Sequence, residues 1–255
     1  MTNTELCYLT GTEALTHFRD GSLSPVELMH AVIDRAEAMQ PRVNALTDTF
    51  YDKAMESAAR AEQRYRGGRP RKLEGLPLVV KDELRLKGTR RTASSLVFQD
   101  RVDDESDVII DRLLRAGAIP IAKTATPEFC LLGSCHSRLN GVTRNPWNLA
   151  LTPGGSSGGT GAALAAGMTV LGTGTDIGGS IRIPAAQCGI VGYKPPYGRN
   201  PEVPVFNLDF YSHSGPMTRS VADAALMQNV ISGPHNQDIA TLRSRVRLDP
   251  ENTAT

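Results

Sequence analysis

Two glycine- and serine-rich segments within residues 154–185 constrain the fold of this chain more than any other feature. The first reads G-G-S-S-G-G-T-G and contains Ser156, and the second reads G-T-G-T-D-I-G-G-S-I-R-I-P-A and contains Ser180. Ordering glycine-rich backbone costs conformational entropy, so two such segments indicate that the backbone approaches something closely. We therefore interpret the segments as two halves of one acyl-transfer site, with Ser180 as the nucleophile.

The length and composition indicate one globular domain. The chain has 255 residues, of which 40% are hydrophobic, and a formal net charge of +1. This near-neutral charge argues against a nucleic-acid partner. The first residues lack the basic and apolar regions of a signal peptide, and no apolar run reaches membrane-spanning length. We therefore expect a cytoplasmic protein that binds neither nucleic acid nor a membrane.

The cysteines do not suggest a metal site. Cys7, Cys130, Cys135 and Cys188 form no C-x-x-C pair and have no histidine at zinc-ligand spacing. We expect buried free thiols in a reducing compartment, and neither a metal nor a cofactor.

Strand-like and helix-like segments alternate along the chain, which is typical of an α/β layered fold. A capping box, Ser24-Pro25-Val26-Glu27, begins a helix that we expect to end at Gln40-Pro41. Further helices are predicted over residues 52–65, 107–115, 157–166 and 221–230. Buried strands are predicted over residues 76–80, 118–122, 168–171 and 190–193, with a further candidate over residues 243–248.

Ser180 needs a base if it is to act as a nucleophile. The two preceding glycines, Gly178 and Gly179, allow backbone N–H groups to converge on a developing oxyanion. The histidines lie in no recognisable catalytic motif, and Ser180 does not lie in a G-x-S-x-G elbow.

Lys81 is the other candidate base, because it follows a buried strand. Burial lowers the pKa of a lysine, and a neutral lysine accepts protons. Alternatively, Lys81 forms an ion pair with Asp82 or Glu83. Ser156 is suited to bridge Lys81 and Ser180, because a hydroxyl both donates and accepts hydrogen bonds.

These motifs together resemble the amidase signature family of serine hydrolases. The segment 154–185 matches the two-loop pattern of the family, and G-L-P-L-V-V-K-D, residues 75–82, resembles its lysine strand. K-T-A-T-P-E-F, G-Y-K-P and G-P-M-T-R-S-V-A-D resemble further family segments. The resemblance covers roughly residues 6–234.

The resemblance implies a Ser–cis-Ser–Lys triad of Ser180, Ser156 and Lys81 that hydrolyses an amide without a cofactor or metal. It also implies supporting residues around the triad. The oxyanion would be bound by the N–H groups of Ile177, Gly178, Gly179 and Ser180. The loops would be held by Ser157, Thr175, Asp176 and Arg182. The implied fold is a mixed β-sheet core covered by helices on both faces.

The chain is shorter than the family pattern, since members are usually nearly twice this length. We expect a single amidase-like domain over residues 1–255 that is incomplete at its C-terminus. Residues 1–70 would form a helical part and residues 71–234 the catalytic core. A sheet lacking its remaining elements exposes edges and apolar faces, so a partner chain or a homodimer is a candidate way to complete it.

Three other interpretations remain beside a small-molecule amidase. A phosphate-binding loop is disfavoured because the first segment lacks the Lys-Ser/Thr ending of a P-loop. A non-catalytic or incomplete fragment would need a second chain. A glutamine-hydrolysing amidotransferase subunit would use the same triad to release ammonia.

Overall fold

The N-terminal part of the molecule is mainly helical. The computed structural model describes residues 1–204, 206–241 and 246–249. The first elements are α1 (Asn3–Tyr8), α2 (Gly11–Asp20), α3 (Pro25–Val43), the strand β1 (Leu46–Thr49) and α4 (Tyr51–Arg66). The capping box before α3 is confirmed, since the Ser24 hydroxyl accepts the Glu27 N–H and the Glu27 carboxylate accepts the Ser24 N–H.

Helix α3 continues through Pro41, so the expected end at Gln40-Pro41 is wrong. Proline lacks an N–H donor, and in the last turn this costs only one intrahelical bond. The helix ends at Val43 and is capped by Asn44, which is left-handed with φ 51° and donates its N–H to the Gln40 carbonyl. The Gln40 amide oxygen then accepts the N–H groups of Ala45 and Leu46, which fixes the turn into β1.

The rest of the chain alternates strands and helices as the sequence predicts. Its elements are β2 (Pro77–Lys81), α5 (Val108–Arg115), β3 (Ile119–Thr124), β4 (His136–Ser137), β5 (Gly141–Val142), α6 (Gly158–Ala165), β6 (Leu171–Asp176), α7 (Arg182–Cys188), β7 (Val191–Gly192), β8 (His213–Thr218) and α8 (Val221–Ile231). Two 3₁₀ helices lie at Leu96–Phe98 and Glu128–Cys130. The expected helices, and three of the expected strands, lie within a few residues of these bounds.

The strand expected at residues 168–171 is displaced in the structure, because β6 begins only at Leu171 and includes Gly172 and Gly174. These glycines look like loop residues in the sequence, but helix α6 packs closely on the strand. A Cβ on Gly172 would lie 2.5 Å from the Thr160 side chain of α6. Glycine in a strand commonly marks such a close approach.

Six strands form one mixed sheet in the order β1-β3-β2-β6-β8-β7. Strand β2 pairs in parallel with β3 and β6, whereas the β1–β3, β6–β8 and β7–β8 pairs are antiparallel. Every residue of β2 and β8 is buried, so both faces of these strands are covered, because successive side chains point to opposite faces. The expected α/β fold with a mixed sheet and packed helices is therefore confirmed.

Two strands of the sheet, β1 and β8, escaped the sequence patterns. β8 reads H-S-G-P-M-T, in which glycine and proline hide the strand signal. Of the strand candidate 243–248, residues 243–245 lie outside the described residues, and Val246–Leu248 form no strand.

Hydrogen bonds to a buried carboxylate join the helical part to the last helix. The Asp223 carboxylate, in the first turn of α8, accepts the N–H of Gly11 at 2.8 Å and of Thr12 at 2.9 Å. Asp223 is buried, and its carboxylate binds N–H groups of the first turn of α2 that have no partner within that helix.

The topology gathers the candidate residues at one edge of the sheet. Strands β2 and β6 run parallel, and they end at Lys81 and Asp176. Carboxyl ends of parallel strands meet at one edge, where α/β proteins commonly place their sites. Within the described ranges, no helix is both long and apolar enough to cross a membrane.

Candidate active site

Lys81 is completely buried at the end of β2. Its Nζ donates a hydrogen bond of 2.7 Å to the Ser156 hydroxyl and one of 2.5 Å to the Thr175 hydroxyl. Nζ also lies 3.1 Å from Oε2 of Glu83. These partners satisfy all three donor positions of an ammonium group.

Ser156 lies in the loop before α6, where its side chain is buried. The peptide bond between Gly155 and Ser156 is cis, as the family resemblance implies. A Cβ on Gly155 would lie 2.5 Å from the carbonyl oxygen of Leu132, so the loop backbone packs directly on the segment that contains Leu132. This packing holds the Ser156 hydroxyl against Lys81.

Ser180 lies between β6 and α7 and is half-buried. The Ser157 N–H donates to the Ser180 carbonyl at 3.1 Å, which joins the two glycine- and serine-rich loops. Within the described part of the chain, the Ser180 hydroxyl forms no hydrogen bond. Lys81 is therefore hydrogen-bonded to Ser156, whereas the Ser156 and Ser180 hydroxyls are not hydrogen-bonded to each other in this arrangement.

Asp176 organises the loop that carries Ser180. Its carboxylate accepts the N–H groups of Gly179 at 2.7 Å, Ile181 at 3.1 Å and Arg182 at 3.2 Å. It also accepts both Nε and Nη2 of Arg182, at 2.9 and 2.8 Å. Burial raises the pKa of Asp176, but these hydrogen bonds outweigh burial and lower the pKa to about 2. The carboxylate is therefore ionised at neutral pH and clamps the loop.

The N–H groups expected to bind an oxyanion are not equivalent. Gly179 adopts φ 118°, which favours glycine, and its N–H is taken by Asp176. The N–H groups of Ile177, Gly178 and Ser180 have no acceptor within the described part of the chain. Ile177 and Gly178 are also exposed, so these three donors are open to a substrate.

Thr175 connects Lys81 with Glu83. Its hydroxyl accepts from Lys81 Nζ and donates to the Glu83 carboxylate. The Ser157 hydroxyl contacts the Thr175 carbonyl at 3.4 Å, so both polar side chains brace the junction of the two loops. The structure therefore places Lys81, Ser156, Ser157 and Thr175 together, and the Ser157 N–H joins this group to the Ser180 loop.

Glu83 is the carboxylate partner of Lys81. Burial by itself lowers the pKa of Lys81, but Cys130 and the Glu83 carboxylate together outweigh burial and raise the pKa above its ordinary value. Burial raises the pKa of the nearby Cys130 thiol to about 12, so this thiol is neutral at pH 7. The expected lowering of the Lys81 pKa is therefore wrong for this arrangement, whereas the alternative of an ion pair with Glu83 is confirmed.

The pKa of Glu83 is also shifted. Burial raises it, but Lys81 and the Thr175 hydroxyl outweigh burial and lower it. Asp82, the other candidate partner of Lys81, instead accepts hydrogen bonds from Thr92 and Ser94. Asp82 and Glu83 both lie in the turn after β2, so strand alternation does not tell which of them contacts Lys81.

A cavity of about 330 Å³ opens beside Glu83 and Thr175. Its other charged lining residues are Arg85, Arg91, Arg101, Asp107 and Glu202. Two of the arginines are paired, Arg85 with Asp107 and Arg91 with Asp103.

The cysteines are all free thiols. Cys7, Cys135 and Cys188 are buried as expected, whereas Cys130 is half-buried. Across the described residues, no group of three or more His, Cys, Asp or Glu side chains is placed to hold a metal ion.

Comparison with known proteins identifies the family. The Amidase family model matches residues 27–254. The chain belongs to the amidase family. An aryl acylamidase described as a bacterial amidase signature enzyme superposes with a TM-score of 0.89 at 33% identity, over 94% of this chain and 51% of that one. The fold of most of this chain is therefore similar to that of an amidase signature enzyme.

Two curated amidase relatives have different names. A glutamyl-tRNA(Gln) amidotransferase subunit of Synechococcus sp. (strain CC9605) is 41% identical over 89% of this chain and 47% of its own length. An acylamidase of Rhodococcus erythropolis is 38% identical over 93% of this chain and 50% of its own length. The chain thus spans about half the length of the curated relatives it matches.

Proposed function

We propose that this chain carries the catalytic site of an amidase, with Ser180 as nucleophile, Ser156 as proton relay and Lys81 as general base. The observation that carries the proposal is the 2.7 Å hydrogen bond between Lys81 Nζ and Ser156 Oγ. It joins a buried lysine to a loop that is itself bonded to the Ser180 loop. Membership of the amidase family supports the same chemistry.

In the proposed reaction, Ser180 Oγ attacks the amide carbonyl carbon. The Ser180 proton passes to Ser156, and the Ser156 proton passes to Lys81 in its neutral form. The open N–H groups of the Ser180 loop stabilise the oxyanion. When the C–N bond breaks, Ser156 donates one proton to the leaving nitrogen and takes one back from Lys81, and the nitrogen departs as ammonia or an amine. Water then hydrolyses the acyl-enzyme to a carboxylate.

Single substitutions of the triad test this mechanism. We expect Ser180→Ala and Lys81→Ala to lower kcat for an anilide substrate by about 10³-fold or more, because each removes an essential group. Ser156→Ala should lose less, since a water molecule can occupy the place of the hydroxyl. The measurement is aniline release, with Ser57→Ala on helix α4 as the control that retains activity.

Hydrolysis by Ser180→Ala at the rate of the unmodified chain would contradict the mechanism. Labelling with a fluorophosphonate, read as an increase in intact mass, separates an assembled site from an inert fragment. A labelled Ser180 supports the proposal, whereas a folded but unlabelled chain supports the non-catalytic interpretation.

A glutamine-hydrolysing amidotransferase component is the second candidate function. The 41% identity to a glutamyl-tRNA(Gln) amidotransferase subunit favours it. Ammonia release from glutamine, compared with aniline release from an anilide, discriminates the two candidates. Glutamine turnover alone would favour the amidotransferase, and anilide turnover alone would favour the acylamidase.

The acyl side of the proposed site is completed by further protein. This proposal is supported by the half-length match and by apolar side chains beside the Ser156 loop, where Phe129, Leu131 and Leu132 are exposed. The rest of a longer polypeptide, a partner chain or a second copy would cover them. The substrate is a small-molecule amide, and neither nucleic acid nor a membrane takes part. If light scattering shows that this chain is a monomer, and the monomer hydrolyses amides as fast as a full-length amidase does, this completion is contradicted.

A further inference from the structure

Lys81 is separated from solvent by the side chains that it contacts, two of which, Glu83 and Thr175, line a cavity. Lys81 is 0% exposed, and its partner Ser156 is also buried. The Glu83 side chain is 26% exposed and borders the cavity of about 330 Å³. Among the groups that contact Lys81 Nζ, Glu83 is therefore the one that carries a charge and reaches a cavity.

The other titratable groups near this pair do not replace Glu83 as the counter-ion. Burial raises the pKa of the Cys130 thiol to about 12 and that of Cys135 to about 11, so both are neutral at pH 7. Across the cavity, burial raises the pKa of Glu202 to about 8, so it is mostly protonated at neutral pH. The remaining charged groups that face Glu83 across the cavity are Arg85, Arg91, Arg101 and Asp107.

The arginines that line the cavity contact groups other than Glu83. Asp107 accepts from Arg85, and Asp103 accepts from Arg91. Arg101 lies over the ring of Phe98 at 5.5 Å. The Glu83 carboxylate is instead engaged by Lys81 and by the Thr175 hydroxyl.

We propose that Glu83 is a positioning residue that keeps Lys81 protonated between turnovers and thereby sets an alkaline working range for the site. The inference rests on the proposed function, in which Lys81 must be neutral to accept the proton of Ser156. The Lys81 ammonium is held by one carboxylate and two hydroxyls, so the proton must leave before the lysine can accept another. That N–H bond breaks, and an O–H bond forms on the solvent water or hydroxide that takes the proton.

The variant Glu83→Gln tests the inference because it removes the charge and retains the shape. A carboxylate within about 4–6 Å typically shifts the pKa of a charged partner by roughly 1–3 units. We therefore expect the acidic limb of the pH profile of kcat/KM to move down by about one unit or more. Glu105→Gln is the matched control, because Glu105 is 60% exposed, pairs with Arg85 and does not contact Lys81. Its profile should coincide with that of the unmodified chain.

A second readout does not depend on activity. Lysine labelled with ¹³C at Cε reports its protonation by NMR, and Lys81→Met assigns the Lys81 signal. We expect the titration of Lys81 in Glu83→Gln to move down by the same amount as the acidic limb. If the unmodified chain hydrolyses no amide, the proposed function fails, and this titration still decides the role of Glu83.

A purely structural role for Glu83 gives a different result. It would lower kcat/KM in both Glu83→Gln and Glu83→Asp without moving the acidic limb or the Lys81 titration, and this outcome would overturn the inference. Glu83→Asp retains the charge, so it should move the limb less than Glu83→Gln does. If Glu83→Gln does not fold, Glu83→Ala removes the charge in its place, and an acidic limb and a Lys81 titration that have not moved down in Glu83→Ala likewise overturn the inference.

Discussion

At the scale of single residues, Asp176 holds the Ser180 loop in place through one carboxylate. It bonds three backbone N–H groups and the Arg182 guanidinium, and it is fully buried. A buried carboxylate with this many donors orders the chain on both sides of Ser180. The geometry of the nucleophile therefore depends on a residue that need not touch the substrate.

We expect Asp176→Asn to lower the free energy of unfolding at neutral pH, and this difference from the unmodified chain should disappear in acid. The pKa of Asp176 is lowered to about 2 in the folded protein, whereas an Asp in the unfolded chain has a pKa of about 4. The ionised carboxylate therefore stabilises the folded protein above about pH 4, and this stabilisation is lost as the pH falls toward 2. We expect a loss of about 2 kcal/mol in the free energy of unfolding at pH 7, measured with urea. The control is Asp104→Asn at an exposed position. An equal loss for Asp176→Asn at pH 7 and at pH 2 would contradict the assigned pKa.

The residues of the site differ in how far the sequence predicts them. Ser156, Ser180 and Asp176 lie in two contiguous motifs, and the lysine strand is a short apolar run, so local patterns suffice to find them. The protonation of Lys81 depends instead on a balance between burial and the Glu83 carboxylate. The sequence names both possibilities, but only the 3.1 Å contact decides between them.

At the scale of secondary structure elements, the contact between α6 and β6 sets how closely the two loops approach. Gly172 lets the strand lie against Thr160 of α6, and the Thr160 hydroxyl donates to the Thr173 carbonyl at 3.1 Å. The helix begins directly after the Ser156 loop, and the strand ends directly before the Ser180 loop. Their separation therefore sets the distance between the two serines.

Gly172→Ala should separate helix and strand. The added Cβ would lie 2.5 Å from the Thr160 side chain, and overpacking of this kind typically costs about 1–3 kcal/mol. We expect that loss in the free energy of unfolding, with a lower kcat because the serines move apart. Gly133→Ala is the control, because its Cβ would meet nothing closer than 4.0 Å. Unchanged stability in Gly172→Ala would show that the contact is not tight.

Elements with a regular pattern are predictable from the sequence, whereas elements defined by tertiary contact are not. The amphipathic spacing of α3 and α4 and the apolar run of β2 are visible in the sequence. Strand β8 contains Gly215 and Pro216 and pairs with β6 only because the sheet places it there. The extension of α3 past Pro41 likewise depends on the Gln40 side chain, which no local pattern reveals.

At the scale of the whole molecule, a second buried lysine should make stability depend on pH. Lys123 is fully buried, donates to the Leu84 carbonyl, and has a pKa lowered to about 8 by burial. Below about pH 8 the lysine is charged in both states, so the cost of burying it is fully present. Between about pH 8 and 10 the folded state binds fewer protons than the unfolded state, so stability rises with pH.

Lys123→Met should remove this rise. We expect the free energy of unfolding of the unmodified chain to gain about 2–3 kcal/mol relative to Lys123→Met between pH 8 and pH 10. Urea unfolding across this range is the measurement, and Lys87→Met at an exposed position is the control. A constant difference between the two proteins across the range would exclude the lowered pKa of Lys123.

The bonds from Gly11 and Thr12 to Asp223 connect positions more than 200 residues apart in the sequence. We propose that residues 1–70 and the catalytic core therefore fold as one unit, in which the start of α2 is completed only after α8 has formed. Contacts of such separation slow folding, because the chain must lose loop-closure entropy before the bonds form. Refolding should accordingly be slow, and the late step should coincide with protection of the Gly11 and Thr12 amides from hydrogen exchange.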